Sequence, residues 1–426
     1  NGRVTVIPLP IDPGPDTDRS GRGVPNLLAG IAVSPDGSRA WIAGSKANVE
    51  RGLVRDGELP NPHNTVRAMV AVIDLERNRE ILDLRIDLDD HEGAVAVEVA
   101  PRGDLIFVAS RGTHRVDVFD AATSAHVAAI GTGAGPIDVR IDGDTLIVHE
   151  WLDRTVSTWD IGALLDGTDT LVQKLGTVSA VSELPLTEQL RLGQRVFFNA
   201  SDRRMSQDGY LSCATCHPDG ASDERVWDFT NRGEGLRNTT DLRGRAGLAH
   251  GPVHWTGNFD EIQDFEHDIR GHFGGSGFMT AADFAATSGP LDAPKAGLSE
   301  HLDALAAYVA TFDAPPRSPW RNPDGTLSDD ALAGQRIYER LDCADCHPAP
   351  TYTDSAPGVR HDVGTLTDAS GQRMGGALDG IDTPTLHGLH ASAPYFHDGG
   401  ATFLEQTLFV EGHGNAQQLT QEQTRK

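Results

Sequence analysis

The chain has 426 residues, 62 Asp and Glu against 36 Lys and Arg, and a formal charge of −26 at pH 7. That length accommodates two or three domains with their own cores, and no apolar run reaches the roughly 18 residues that would span a bilayer. So negative a field repels nucleic acid and anionic membrane surfaces, which excludes both and leaves a basic or neutral protein as the natural partner.

From the N-terminus a pattern recurs with a period of roughly 45 residues. Segment 31–43 is followed by 71–75, segment 97–109 by 116–120, and segment 137–148 by 156–160, each a set of short β-branched stretches. Asp36-Gly37, Arg102-Gly103 and Asp142-Gly143 mark hairpin turns between them. Four such strands make one propeller blade. The units resemble the YVTN-type β-propeller repeats of exported proteins, over residues 1–182. Three blades and a leading strand do not close a ring, so either further blades complete it or the sheets pack on something else, such as a second copy or another subunit. Insertions at 12–26 and 45–67 break the pattern. The histidines of this region, His63, His91, His114 and His126, are expected at the surface.

From Leu186 the character changes to helices between Gly-rich loops. Leu190, Val196 and Phe197 share one face of a helix starting near Thr187. The first Cys-x-x-Cys-His follows at Cys213, Cys216 and His217, and the second stands at Cys343, Cys346 and His347. Two thiols at this spacing reach both vinyl groups of one porphyrin, and the adjacent imidazole meets the iron, so each motif reads as a covalent haem attachment site. A zinc site built from all four cysteines would leave both histidines unexplained, and a redox dithiol needs a βαβ context that is absent. Between the motifs, Ser299 caps a helix over 300–312, and Pro315, Pro316 and Pro319 stiffen a linker. A further helix over 327–340 repeats the Gly-Gln-Arg of 193–195 at 334–336. The expected fold is multidomain: a partial, all-β propeller over 1–182, then two tandem all-α cytochrome c domains over 183–318 and 319–426. Covalent haem is attached outside the cytoplasm, so the protein is expected to be periplasmic or otherwise exported. No signal peptide opens the sequence, and Asn1 reads as a mature terminus or the start of a fragment. Thr420 and Gln423 fit a capping box that only three residues follow, so the natural protein is expected to continue.

The stretch from Thr383-Pro384-Thr385-Leu386 to Ala393-Pro394-Tyr395-Phe396-His397-Asp398-Gly399-Gly400 is the most specific one. It resembles the C-terminal domain of bacterial dihaem cytochrome c peroxidases and of the related enzyme that matures the tryptophan-derived cofactor of methylamine dehydrogenase. The resemblance covers about 186–426, and an internal echo supports it, because Asn238 to Gly244 leads to His254-Trp255-Thr256-Gly257-Asn258 in the same order. The resemblance implies that Trp255 bridges two haem c groups. His347 would hold the relay haem, His217 the haem that meets hydrogen peroxide, and His397 would bond a propionate or fix a turn with Asp398. The family's sixth ligand to the relay haem falls at Glu411, with His413 and Met374 as alternatives. Its distal acid falls at Gly275, so Glu266, His267 and His272 are the candidates for proton transfer, or for closing the haem as a second axial histidine. A calcium ion between the domains would be held through Asn238, Ser392 and Pro394. Two functions follow: a peroxidase-like oxidoreductase acting on peroxide or on an organic or protein substrate, or a non-catalytic electron-transfer subunit with the propeller as docking platform.

Overall fold

A computed structural model describes the chain apart from residues 1–3, 18–20, 51, 55–56, 59–60, 89–92, 288 and 426. It divides into two compact units, Asn1–Arg51, Asn61–Thr215 and Phe273–Gly277 in one, and Gly52–Pro60, Cys216–His272 and Phe278–Lys426 in the other.

The first unit is built of three antiparallel sheets in chain order. The first contains Val24–Asn26, Ile31–Val33, Arg39–Ala47, Val66–Asp74, Arg79–Glu80 and Ile86–Asp87. The second is a four-strand meander of Ala96–Arg102, Leu105–Ser110, Arg115–Asp120 and His126–Gly131. The third repeats the meander with Pro136–Asp142, Thr145–Glu150, Thr155–Asp160 and Gln173–Ser179. Arg102 pairs with Leu105 and Asp142 with Thr145, so each hairpin turns on a Gly-Asp pair. Gly103 (φ 58°) and Gly143 (φ 57°) take the left-handed conformation such tight turns require.

The run Leu105-Ile106-Phe107-Val108-Ala109 is apolar without alternation because the middle sheet is covered on both faces. Its side chains alternate between two cores. Ile106 and Val108 pack with Trp41, Val70 and Phe119 on one face, while Phe107 and Ala109 pack with Val118, Val139 and Leu146 on the other. Each such buried side chain contributes about 1.5–3 kcal/mol.

Two expectations for this region are corrected. The insertion expected at 45–67 is shorter, because Ser45 to Ala47 continue their strand and pair with Ala68 to Val66. Among the four histidines expected at the surface, His63 is buried and faces the Phe273 carbonyl and Asp208. His114 accepts from the Gly135 amide, and the half-buried ring of His126 lies edge-on to Phe119. His91 lies outside the described residues.

The helix Glu188–Phe198 starts at Thr187, whose hydroxyl accepts from the Leu190 amide. It docks on the turn that follows the strand Thr145–Glu150. Phe198 lies edge-on to Trp151 at 4.8 Å, Gln194 accepts from Arg154, and Arg195 pairs with Asp153.

The second unit carries the helices Phe265–Arg270, Ala281–Ala286, Glu300–Val309, Asp329–Arg340 and Leu404–Thr407 among long loops. The all-α expectation is corrected here, because two short ladders pair Val226–Asp228 with Leu236–Asn238 and Arg360–His361 with Ile381–Asp382. The helix capped by Ser299 ends at Val309 rather than 312. The amides of Thr311 and Phe312 reach back only three residues, to the carbonyls of Tyr308 and Val309, which tightens the last turn, and the Phe312 carbonyl beyond it accepts from Gly244 and Ala246. The Thr420 and Gln423 capping box forms in both directions. Among the described residues no helix is long and apolar enough to cross a membrane.

Candidate haem sites

In the second motif, Cys343–Asp345 forms one short turn and the His347 amide bonds the Cys343 carbonyl, which brings the imidazole back beside the thiols. His347 Nδ1 lies 3.0 Å from the Tyr352 carbonyl. A carbonyl only accepts, so Nδ1 carries the proton and Nε2 keeps the lone pair a metal would use. Tyr338 donates to the His347 carbonyl and fixes the same turn from the other side.

In the first motif, Cys213–Cys216 is a single helical turn held at its start by Thr215, whose hydroxyl accepts from the Ser212 amide. Burial pushes the Cys213 thiol up to about 12, and the Cys343 and Cys346 thiols are raised as well, chiefly by burial. Such thiols do not suit a redox dithiol, which needs lowered values. Burial also holds His217 down to about 4, against the backbone of Ala221 and Thr240, which raise it.

The segments that echo each other in sequence meet in space. Trp255 Nε1 donates to the Asn238 carbonyl at 2.7 Å, and the Trp255 carbonyl accepts from the Asp382 amide at 2.8 Å. The Asn238 amide bonds the His397 carbonyl at 2.6 Å, and the Asn238 side chain bonds the Pro394 carbonyl. Trp255 is thereby stitched between the stretch after the first motif and the stretch after the second. Of the three candidate calcium ligands, Asn238 and Pro394 are brought together, with Asn238 Oδ1 lacking a hydrogen-bond partner. The Ser392 hydroxyl is turned onto Leu389. His397 is buried, its Nε2 is 2.7 Å from Ser370 Oγ, and burial holds it down to about 4.

The proton-transfer candidates differ in employment. Glu266 is fully buried and accepts from the Phe278 and Met279 amides and from Arg270 Nε at 2.7 Å, so its oxygens are taken. His267 packs its ring on Phe284 at 4.9 Å with Nε2 buried and without a partner. His272 lies against Phe229 at 4.7 Å. Gly275 has no room for an acid: a Cβ there would stand 2.3 Å from the Arg204 carbonyl oxygen. Among the axial candidates Glu411 and Met374 are exposed. His413 is half-buried, with Nδ1 2.6 Å from the Thr407 carbonyl, which leaves Nε2 its lone pair in the same way as at His347. Asn415 ties this loop to the Leu341 carbonyl, two residues before Cys343, and His413 acts electrostatically on His347.

Sequence reasoning missed two groups. His254, beside Trp255, is held by Asn258 and flanked by Phe259 and Phe265. His250, His387 and Tyr352 form a ring cluster in which both histidines have a buried Nδ1 without a partner among the described residues, near the half-buried Arg245 with its Nε in the same state. Only partners far away in sequence mark these residues. Unsatisfied donors gathered around both motifs are what a cofactor with two propionates would satisfy, so the residues present fit haem. Cys346 also lies within reach of Asp354 and His361, a set able to hold a metal ion. In the second motif, however, Cys346 would be a thioether position if haem is attached, and His361 is engaged with Asp354 at 2.7 Å.

No family model matches the chain. Among known proteins it is 29% identical over 282 residues to hydrazine synthase subunit gamma of Kuenenia stuttgartiensis, which is 56% of this chain and 75% of that protein. It is 25% identical over 252 residues to cytochrome c551 peroxidase of Nitrosomonas europaea, 53% of this chain and 73% of that one. It is 28% identical over 261 residues to the methylamine utilization protein MauG of Methylorubrum extorquens, 54% of this chain and 70% of that one.

Proposed function

Over about half its length this chain is a relative of the dihaem cytochrome c peroxidases, and from that premise we propose that it is an exported two-haem oxidoreductase that reduces hydrogen peroxide at one haem with electrons relayed from the other. Bound haem would supply one-electron redox chemistry and, where an axial position is open, reaction with peroxide. Cys213, Cys216 and His217 hold the reactive group; Cys343, Cys346 and His347 hold the relay group. His413 would help to hold the relay group, favoured over Glu411 and Met374 because its ring is anchored and its Nε2 available. Asn238 and the Pro394 carbonyl offer hard oxygens for a calcium ion at the junction. The three sheets are propeller blades over 1–182, followed by cytochrome domains over 183–318 and 319–426, and the blades present a surface to a redox partner or a second substrate.

The observation that carries this reading is the Trp255 junction. The Trp255 indole donates to the segment behind the first motif and the Trp255 backbone carbonyl accepts from the segment behind the second, which supports a role in passing oxidising equivalents between them. The test is electron paramagnetic resonance and optical spectroscopy of the oxidised and half-reduced protein, before and after peroxide. A high-spin signal that responds to peroxide is expected. Two low-spin haems inert to peroxide in both states would instead make this an electron-transfer subunit.

A further inference from the structure

We propose that His254 is the base that accepts the proton from peroxide at the first haem, with Asn258 and Arg232 as its positioning residues. The proposal rests on the peroxidase reading above and supplies the acid–base group that Gly275 does not.

The argument begins at Glu234. This buried carboxylate pairs with Arg237 at 2.7 Å and accepts from Asn258 Nδ2 at 3.0 Å. A carboxylate paired with a guanidinium only accepts, so Asn258 must turn its amide nitrogen to Glu234 and its oxygen the other way. That oxygen lies 2.7 Å from His254 Nδ1. Nδ1 therefore carries the proton, and Nε2 is left as the basic nitrogen. Arg232, pinned by Asp268 on one side, brings Nη2 to 3.3 Å from the same nitrogen; a guanidinium only donates, so beside an Nδ1 that gives its proton to Asn258 over the shorter 2.7 Å contact it acts as a fixed positive charge and makes no hydrogen bond. Burial, with Arg232 the next cause, holds the imidazole well below its usual range, and His217 is close enough to contribute. The ring stands next to Trp255, whose indole bonds the Asn238 carbonyl, and the chain beyond Asn238 returns to the first motif, where the Leu242 amide bonds the Gly220 carbonyl.

The backbone supports the same conclusion. His254 has φ 68°, a left-handed conformation that costs a non-glycine residue about 1–2 kcal/mol. The amide of Val253 on the Phe259 carbonyl and that of Gly257 on the His254 carbonyl hold it there, and Phe259 (4.5 Å) and Phe265 (5.0 Å) box the ring. A strained residue kept this firmly beside Trp255 points to a functional constraint.

His254 Nε2 takes one proton from hydrogen peroxide as the peroxide anion binds, then gives it to the far oxygen as the O–O bond breaks. That oxygen leaves with the bond pair as water. Bound haem would supply the two electrons, replenished by a one-electron donor protein, and solvent the two protons with which the other oxygen also leaves as water.

The test measures ligand binding to the haem-loaded protein. Hydrogen cyanide must lose a proton to bind iron, whereas imidazole has none to lose. His254→Gln is expected to slow cyanide binding and peroxide consumption by about 10²-fold or more, with haem content, optical spectrum and imidazole binding unchanged. Asn258→Leu, which frees the tautomer while leaving the base, is expected to slow cyanide by a smaller factor. Wild-type rates of cyanide binding in His254→Gln would overturn the proposal while leaving the peroxidase reading intact. A wild-type protein whose haems bind neither peroxide nor cyanide would overturn the reading itself.

Discussion

Replacing Glu266 with Gln separates a structural carboxylate from a catalytic one. Glu266 accepts from two backbone amides at 2.9–3.0 Å and from Arg270 Nε at 2.7 Å, and no part of it is exposed. Glutamine keeps the shape, and its one oxygen can still serve the amides of Phe278 and Met279. That oxygen also keeps Arg270 Nε, because all three donors share Oε1; the NH₂ then faces the Phe278 amide in the place of Oε2, and Arg270 loses its counter-charge. A hydrogen bond to a charged group contributes about 1.5–3 kcal/mol, and breaking a buried pair costs about 3–5 kcal/mol. Arg270 keeps some solvent access, so a loss of about 3 kcal/mol is expected. For a unit of this size that is a fall of roughly 6–12 °C in melting temperature. The assay is denaturant unfolding of the haem-loaded variant followed by circular dichroism, together with peroxide consumption per folded molecule below the transition. The expected result is lost stability with retained turnover. If Glu266→Gln is as stable as the parent and turnover falls a hundredfold, Glu266 transfers the proton and the assignment to His254 is wrong.

Trp255→Phe removes the bond to the Asn238 carbonyl, costs about 1 kcal/mol, and is expected to slow electron exchange between the haems in stopped-flow reduction without changing either haem spectrum. His413→Ala should convert one low-spin signal to high-spin in the electron paramagnetic resonance spectrum and leave the first haem's cyanide binding unaltered. Gly275→Ala places a Cβ against the Arg204 carbonyl and is expected to cost about 1–3 kcal/mol in denaturant unfolding, so an acid introduced there restores no activity. Burial raises the Asp382 carboxyl to about 7, opposed by Ser355 and Arg245, with Asp354 raising it further and Arg360 lowering it. The folded value lies above the unfolded one, so this contribution is fully present below about pH 4 and lost as pH rises through 7, by roughly 4 kcal/mol. Asp382→Asn should flatten stability over that window.

Features with local causes were readable from the chain. The two haem motifs, the Thr187 and Ser299 caps and the Thr420 and Gln423 box each depend on residues within four positions of one another, and all the caps form where they were expected. The bound on helix Glu300–Val309 was missed because the residues after it turn to a segment far back in the sequence, where the amides of Gly244 and Ala246 bond the Phe312 carbonyl. His63 reads as a surface residue until the Phe273 carbonyl, 210 positions away, covers it. Glu266 reads as an acid near a haem until the amides of Phe278 and Met279 close on it. His254 gives no local signal at all, since its tautomer is decided by Glu234 acting through Asn258.

The same chain of partners explains why so acidic a protein would rely on an imidazole. A buried carboxylate is costly unless its lone pairs are used, and four in the second unit use theirs. Glu234 serves Arg237 and Asn258, Glu266 serves Arg270 and two amides, Asp264 serves Lys295, and Asp268 serves Arg232. A carboxylate with every oxygen engaged has no lone pair to offer peroxide without giving up the structure it supports. His254 is different in kind: one nitrogen is spent on position, and the other remains basic. The carboxylates of this unit contribute to proton transfer by deciding where that second nitrogen points, which is why a neutral substitution at Glu234 is expected to act on cyanide binding through His254.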